Sequence, residues 1–429
     1  MIFFYQIFIQ LFSFLVKVAS LFNRKARLFV SGRKNVFWKL NAALSSSLVP
    51  RPPSLVWFHC SSLGEFEQAR SLIDRIKNQE SRIKILITFF SPSGYEIRKN
   101  YEGADFIFYL PIDTKSNARR FLDMVNPSQV FFVKYDFWYN YLHELKERNI
   151  PAYLVSANFR QEQFIGMYGK YLRKVLSFFN HIFVQNDFSQ KLLSEQKILN
   201  VSVSGDLRYD RVSQTVSTVK KNQMVEMFKG DNKVVVCGST WEKDEEIVSS
   251  IKYQASLPNT YYPILKLIIA PHEINEARIQ STIKQFSNKT ILRFSEISKE
   301  PVSTALDKLK DAKVLIIDNI GMLSSLYQYA DIAYIGGGFG SGIHNILEAV
   351  AFGAPVIFGP NHHKFPEAKE IIEQGGGFSI VDTNDFQKVM NLFLSDEKIL
   401  MMASMVCKNF VMQRKGAVER IISALHLEN

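Results

Sequence analysis

Residues 331–360 read DIAYIGGGFGSGIHNILEAVAFGAPVIFGP. An apolar run, Ile332 to Ile335, leads into Gly336-Gly-Gly-Phe-Gly-Ser-Gly342. A helical pattern from about His344 to Phe352 follows, and Gly353-Ala-Pro stops it. A second apolar run, Val356 to Phe358, ends in Gly359-Pro360. Strand, glycine loop, helix and strand in that order make a βαβ unit of a parallel sheet. Glycines let the backbone turn sharply and expose N–H groups at a helix N-terminus, whose partial positive charge suits a phosphate. Gly337, Gly338 and Phe339 lie in that loop. His344, Asn345 and Glu348 share one face if the helix starts near His344. A carboxylate just past a phosphate site suits the two hydroxyls of a ribose. The stretch therefore reads as a nucleotide site; the competing reading is a glycine-rich turn in an ordinary α/β protein.

The same rhythm extends in both directions. Strands are expected at 55–59, 83–89, 107–110, 130–133, 152–155, 182–184 and 201–203. They recur at 234–237, 265–270, 291–294, 314–317, 332–335, 356–358 and near 378–381, with helical patterns between most of them. Strands alternating with helices give a mostly parallel sheet. A chain of 429 residues is too long for one ordinary core. The stretch 213–232, polar and helical in pattern, is the expected linker region between two α/β halves. The expected organisation is a segment 1–22, an N-terminal Rossmann-like domain 23–212 and a C-terminal one 213–429, whose last helices could pack back on the first domain. The fold class is α/β, with two Rossmann-like domains facing a cleft. In open parallel sheets ligands sit at the carboxyl ends of strands. The loops 61–65, 91–94, 134–136, 156–160, 238–240, 271–273 and 336–342 all follow expected strands.

Residues 1–22, MIFFYQIFIQLFSFLVKVASLF, are apolar apart from a few positions and carry one charge, Lys17. Arg24, Lys25, Arg27, Arg33, Lys34 and Lys39 follow. A secretory signal has its charge before the apolar run, so the order here is that of an uncleaved membrane anchor with a cytoplasmic basic flank. Gln6, Gln10 and Lys17 leave open a helix lying in the interface, and a buried core helix is a further alternative. The net charge of +11 is uneven: up to Val212 there are 29 Lys and Arg against 17 Asp and Glu, and the remainder carries −1. The basic half reads as a face toward anionic lipid. No zinc-finger, RNA-binding or basic-region pattern accompanies it, so no nucleic-acid partner is expected. Three scattered cysteines, Cys60, Cys237 and Cys407, form no disulfide framework and no zinc spacing.

In the first half Glu65 is the best candidate for a general base, near a helix start after Ser61-Ser-Leu-Gly64. The competing reading is simple stabilisation of the positive helix end, worth a few tenths to about 1 kcal/mol. Asp136 and Asp113 also follow strands. Ser93 lies in a loop after a strand. Arg160 and Arg208 end strand segments and could grip a carboxylate or phosphate, or form ion pairs. In the second half Ser239 and Thr240 are phosphate ligands or N-caps, and His272 meets a phosphate or base or is structural. His362 and His363 are adjacent, do not share a face, and have no third ligand in the sequence.

Taken together, SSLGE at 61–65, FFSPSG at 89–94, YLPID at 109–113, SANFR at 156–160, GDLRYD at 205–210, GST at 238–240 and GGGFGSGIHNILEAVAFGAPVIFGPN at 336–361 resemble the 3-deoxy-D-manno-octulosonic acid (Kdo) transferases of lipid A assembly. The resemblance covers nearly the whole chain. It implies a two-domain glycosyltransferase B fold without an active-site metal or cofactor, and transfer of Kdo from CMP-Kdo to the lipid A precursor (lipid IVA) at the cytoplasmic side of the inner membrane. It implies Glu65 as catalytic base. CMP would be held by Gly337, Gly338, Phe339, His344, Asn345 and Glu348, with Ser239, Thr240 and His272 beside phosphate or cytosine. Ser93, Asp136, Arg160 and Arg208 fall on the acceptor or cleft side. One base and one displacement imply inversion at the anomeric carbon. This chain departs from the family pattern at Val133-Lys134-Tyr135-Asp136, where a Met-Glu-Thr-Glu-like segment is common, at Arg208, where Lys is common, and before His272, where the usual Arg is lacking. The rival readings are another nucleotide-sugar lipid glycosyltransferase, such as a UDP-sugar enzyme, and a membrane-anchored nucleotide-binding protein without catalysis.

Overall fold

Two seven-stranded sheets, every adjacent pair parallel, organise the chain. The structure, a computed structural model, describes residues 2–45, 54–79, 82–251 and 265–425. Met1 of the expected anchor and the last four residues of the C-terminal domain lie outside them. The residues group into two compact units: 1–211 together with 415–429, and 212–414.

In the first unit the strands are β1 (Ser54–Cys60), β2 (Ile83–Phe89), β3 (Phe106–Tyr109), β4 (Gln129–Val133), β5 (Ala152–Ala157), β6 (His181–Val184) and β7 (Val201–Val203), in the order β3-β2-β1-β4-β5-β6-β7. The order reverses between β1 and β4, and such a switch point opens a crevice at the carboxyl ends. Both faces of the sheet are covered. Leu55 and Trp57 of β1 enter one apolar cluster, while Val56, Phe58 and Cys60 enter the other. That alternation is the two-residue period of a strand buried on both sides. The last helix, Ala417–Ala424, adds Val418, Ile421 and Ile422 to the second cluster. Asp210 caps it, accepting the amides of Gly416 and Ala417 at 2.9 Å each.

The second unit repeats the plan with β8 (Lys233–Thr240), β9 (Leu265–Pro271), β10 (Ile291–Arg293), β11 (Val314–Ile316), β12 (Ile332–Ile335), β13 (Val356–Phe358) and β14 (Gly377–Ser379). Its order is β10-β11-β9-β8-β12-β13-β14, with the reversal between β8 and β12. Val235, Cys237, Leu267, Ile269, Ile332 and Tyr334 pack into one core on one face of this sheet.

All fourteen expected strands are present. The stretch 213–232 is helical, as expected: the helix Leu207–Thr218 runs into it and the helix Gln223–Lys229 follows. Two other expectations change. Arg208 does not end a strand but sits in the first turn of Leu207–Thr218. The helix expected from His344 is only Leu347–Ala351.

Candidate functional site

One group of candidate residues lies at the switch point of the N-terminal unit. The chain leaves β1 through Ser61 and Ser62 and enters the helix Leu63–Gln79. The Ser62 amide donates to the Glu65 carboxylate at 2.8 Å and the Ser62 hydroxyl donates to it at 3.2 Å. The Glu65 amide approaches the Ser62 hydroxyl oxygen at 3.4 Å. Ser-x-x-Glu closing on itself is a capping box, so the structural reading of Glu65 is realised in the fold. Burial nevertheless pushes the Glu65 carboxyl above its ordinary value, while the Ser62 hydrogen bonds and the charge of Lys134 pull the other way.

Asp136, on the loop after β4, stands across the switch point and is 4% exposed. It accepts the Ser61 hydroxyl and, at 3.2 Å, the Ser61 amide. Burial first, and the neighbouring Glu65 second, hold its carboxyl well above the usual range. One serine thus ties the loop of Glu65 to the loop of Asp136, and the two acids share one electrostatic environment. His59 of β1, fully buried, completes the group. Its Nδ1 lies 2.8 Å from the Thr88 hydroxyl, which also accepts the Trp57 indole N–H at 2.7 Å. Its Nε2 lies 3.8 Å from Asp136. Burial lowers the imidazole to about 3, so the ring is neutral at ordinary pH. Neither His59 nor Thr88 stands out in the sequence; their only mark is polarity inside otherwise apolar strands.

The loop after β2 joins this edge. The Ser91 amide donates to the Ser61 carbonyl at 2.8 Å, and the hydroxyls of Ser91 and Ser93 are 2.9 Å apart; Ser93 lies not in the loop, as expected, but in the first turn of the helix Pro92–Arg98, which Ser91 caps. Arg160, after β5, is exposed and its amide donates to Gln163 Oε1 at 2.8 Å. Arg208 binds Asp206 from Nε and Nη2, each at 2.8 Å, and its amide donates to the same carboxylate at 2.9 Å. Burial raises the phenol of Tyr135, which is 44% exposed, with the charge of Arg160 opposing the rise and that of Asp206 adding to it. Tyr135 is thus a further side chain in the field of these charges, hidden in the sequence by lying inside a departure from the family pattern.

In the C-terminal unit the corresponding switch point lies between β8 and β12. Gly336 sits so close to Ser239 that a β-carbon there would come within 2.2 Å of the Ser239 carbonyl oxygen. Gly338 is likewise tight against Gly359: a β-carbon there would come within 2.5 Å of the Gly359 amide nitrogen. Gly337 has φ +89° and gives its amide to Asp244 at 2.9 Å. Asp244 also accepts Tyr334 Oη and the Trp241 amide at 2.9 Å each. These glycines therefore seat strand-end loops on one another, and the Gly337 amide, expected to face a phosphate, is committed to Asp244. Phe339 is half-buried and packs against Gly359.

Thr240 also differs from expectation. It is fully buried, and its hydroxyl donates to Glu245 at 2.7 Å. Arg278 grips Glu245 through both terminal nitrogens, at 2.7 and 3.0 Å. Neither Ser239 nor Thr240 is an N-cap, since Trp241 occupies that position before the helix Glu242–Ser249. Ser239 has φ +53°, where the pairing of β8 with β9 slips between Gly238 and Thr240. Lys134 and Ser156 share this left-handed conformation, at φ +59° and +56°. Three non-glycine residues at strand carboxyl ends in a region costing about 1–3 kcal/mol each point to local geometry held by its surroundings.

Beside this loop lies a stack of rings. His272 is exposed and lies 4.7 Å from Trp241 at 29° and 4.5 Å from His344 at 24°. Burial lowers the His344 imidazole, and His272 lowers it further. His344 and Asn345 are not on the helix with Glu348, as the sequence reading expected. The His344 amide bonds Gly336 O at 3.1 Å. Asn345 lies just before Ile346, the N-cap of the short helix; its side chain accepts the Leu347 amide at 3.1 Å and its side-chain amide reaches Glu348 at 3.4 Å. Asn345 and Glu348 are thus brought together across the helix start instead of on a shared helix face.

Residues 34–211 match the family described as 3-deoxy-D-manno-octulosonic-acid transferase (kdotransferase). A protein of Haemophilus influenzae named 3-deoxy-D-manno-octulosonic acid transferase is 25% identical over 87% of this chain and 87% of its own length. One of the same name from Aquifex aeolicus is 27% identical over 80% of this chain and 87% of its own length. Among solved structures, UDP-GlcNAc 2-epimerase from Neisseria meningitidis bound to UDP-GlcNAc aligns with TM-score 0.58 and 15% identity, over 87% of this chain and all of that one. Acinetobacter baumannii MurG aligns with TM-score 0.51 and 10% identity, over 88% of this chain and all of that one. These likenesses and the two parallel sheets give the glycosyltransferase B fold, and in sequence the chain is a homologue of enzymes named Kdo transferases, which are glycosyltransferases.

Proposed function

We propose that this chain transfers Kdo from CMP-Kdo to the lipid A precursor, lipid IVA, in lipopolysaccharide biosynthesis, at the cytoplasmic face of the inner membrane. The observation that carries this reading is the likeness to proteins named Kdo transferases over four-fifths or more of the chain. Glu65 is the general base. It is half-buried with a raised carboxyl, and such a group takes a proton more readily than an ordinary carboxylate. It removes the proton of an acceptor hydroxyl; that oxygen bonds to the anomeric carbon of Kdo as the bond to the CMP phosphate breaks and CMP departs. A single displacement inverts the anomeric centre through an oxocarbenium-like transition state, by analogy with glycoside hydrolysis.

In this reading the acceptor is met by Ser93, Asp136, Arg160 and Arg208 of the first unit. CMP is met by Ser239, His272, Phe339, His344, Asn345 and Glu348 of the second. The Trp241–His272–His344 stack offers flat surface to a base or a planar phosphate-linked group. Thr240 and Gly337 act indirectly, by fixing the loops. No metal or cofactor takes part in the proposed step.

Nucleotide protection tests the donor. Addition of CMP to the purified chain raises its melting temperature by mass action, while UDP at the same concentration leaves it unchanged. Protection by UDP alone contradicts the CMP assignment and favours a UDP-sugar enzyme.

A further inference from the structure

The first helix, Ile2–Ala19, is long and apolar enough to cross a membrane by length and composition. Its packing says otherwise. One face is fastened to the first unit. Tyr5 donates to Asp113, and its ring stacks on Tyr171 at 5.5 Å and 24°. Gln6 donates to Asn140 Oδ1 at 2.6 Å, and Asn140 in turn donates to Asp113 from its amide at 3.1 Å. Ile9 is 3% exposed, and Phe12 meets Phe29 and Phe90 with ring centroids 6.0 Å away. Positions 5, 9, 12 and 16 recur at helical spacing, so this is one continuous inner stripe.

The opposite face has nothing on it among the described residues. Phe3, Phe4, Phe8, Leu11, Phe14 and Leu15 are 52–70% exposed. With Ile7 and Val18 they span about 140° of arc at 3.6 residues per turn. Gln10 and Lys17, seven residues apart, form a polar stripe along one border of that arc and are both exposed. Leu21 and Phe22, in the turn after this helix, and Trp38, on the helix Val36–Ser45, are also 68–86% exposed. Charge identifies what covers it. Residues 1–45 contain seven Lys and Arg and no Asp or Glu. Six of the seven, Lys17, Arg24, Lys25, Arg27, Lys34 and Lys39, are exposed. A second copy would set six positive charges against six more, whereas an anionic bilayer surface meets both the apolar arc and the charge.

We infer that the Ile2–Ala19 helix does not cross the bilayer but lies in one leaflet of an anionic membrane, its Phe3–Phe14 face down and its Tyr5–Ile9 face clamped to the first unit. A crossing helix would have to give up that clamp, and at 1.5 Å per residue its 18 residues span about 27 Å against a hydrocarbon core of about 30 Å. This sharpens the membrane part of the proposed function, and it stands or falls separately from Kdo transfer.

The test uses full chains carrying Gln10→Cys or Phe8→Cys; Cys60, Cys237 and Cys407 are buried and add little background. Membranes containing each chain are treated from the cytoplasmic side with a membrane-impermeant maleimide. In-plane docking labels Gln10→Cys readily and protects Phe8→Cys. Protection of both, as for a mid-helix residue surrounded by lipid, overturns the inference. Flotation of purified chain with phosphatidylglycerol vesicles is the second arm. Binding falls with salt and is weaker to phosphatidylcholine alone. Phe8→Ser/Leu11→Ser/Leu15→Ser lowers the vesicle partition by about a hundredfold or more with an unchanged melting temperature. A folded triple variant that floats like the parent overturns the inference, as does a parent that forms lipid-free dimers through this face and does not float. Labelling as expected without any Kdo transfer would refute the enzymatic reading alone.

Discussion

Glu65 is a helix cap and the proposed base in one side chain. The cap fixes where the carboxylate points; burial raises its proton affinity. Lys134 then matters because its charge works against burial. Where the family commonly carries a carboxylate, this chain has a cation that favours ionised Glu65. A base works only when deprotonated, so activity rises with pH through the carboxyl's pKa. Lys134→Met removes the opposing charge, and the acid limb of kcat/KM is expected to move to higher pH; Lys134→Glu moves it further. An unchanged limb in both pH–rate profiles would contradict the coupling. The candidate base was legible from its position after β1 and before a helix, and Asp136 as an acid after another strand. The contacts of Asp136 with Ser61 and His59 were not, because they form only when β1 and β4 become neighbours across the switch point.

At the level of elements, the central strands, such as β1, β2, β8, β9 and β12, were legible because each is an apolar run buried on both faces, and such runs stand out against the polar helix exteriors. The glycine loop was legible as a loop but misread in its mechanics. Ile343, Ile346, Leu347 and Val350 fall at helical spacing, so the helix looked as if it began near His344. Ile343 and His344 instead give their amides to Asn361 O and Gly336 O, at 3.2 and 3.1 Å, so this stretch is sewn to neighbouring strand ends before any helix begins. The sequence shows glycines but not which backbone presses on them, and here that is Ser239 and Gly359. The second support of this edge is the Glu245–Arg278 pair, 1% and 5% exposed at the side chain. Arg278→Met leaves a buried carboxylate with its main partner gone, at a cost of about 3–5 kcal/mol and a fall in melting temperature of roughly 10 °C. Thermal melts of the purified variant check this; a change below about 1 kcal/mol would show that the pair does not hold the Thr240 loop.

For the whole molecule, two seven-stranded parallel sheets each bring candidate site residues to a switch point, and each switch point is bridged by an aspartate: Asp136 to Ser61 in one, Asp244 to Gly337 in the other. The charge asymmetry visible in the sequence has a structural counterpart in the basic, apolar-faced helices of the first unit. The division of labour expected from this plan is a base and a membrane-borne acceptor on the first unit and a nucleotide on the second. The most direct test is transfer itself: purified full chain, CMP-Kdo and lipid acceptor, with product followed by mass spectrometry for the parent and Glu65→Ala. The expected result is Kdo-bearing lipid from the parent, with turnover by Glu65→Ala lower by about a hundred- to ten-thousandfold at an unchanged melting temperature. No Kdo-bearing product from a folded parent, or normal turnover by Glu65→Ala, would contradict it.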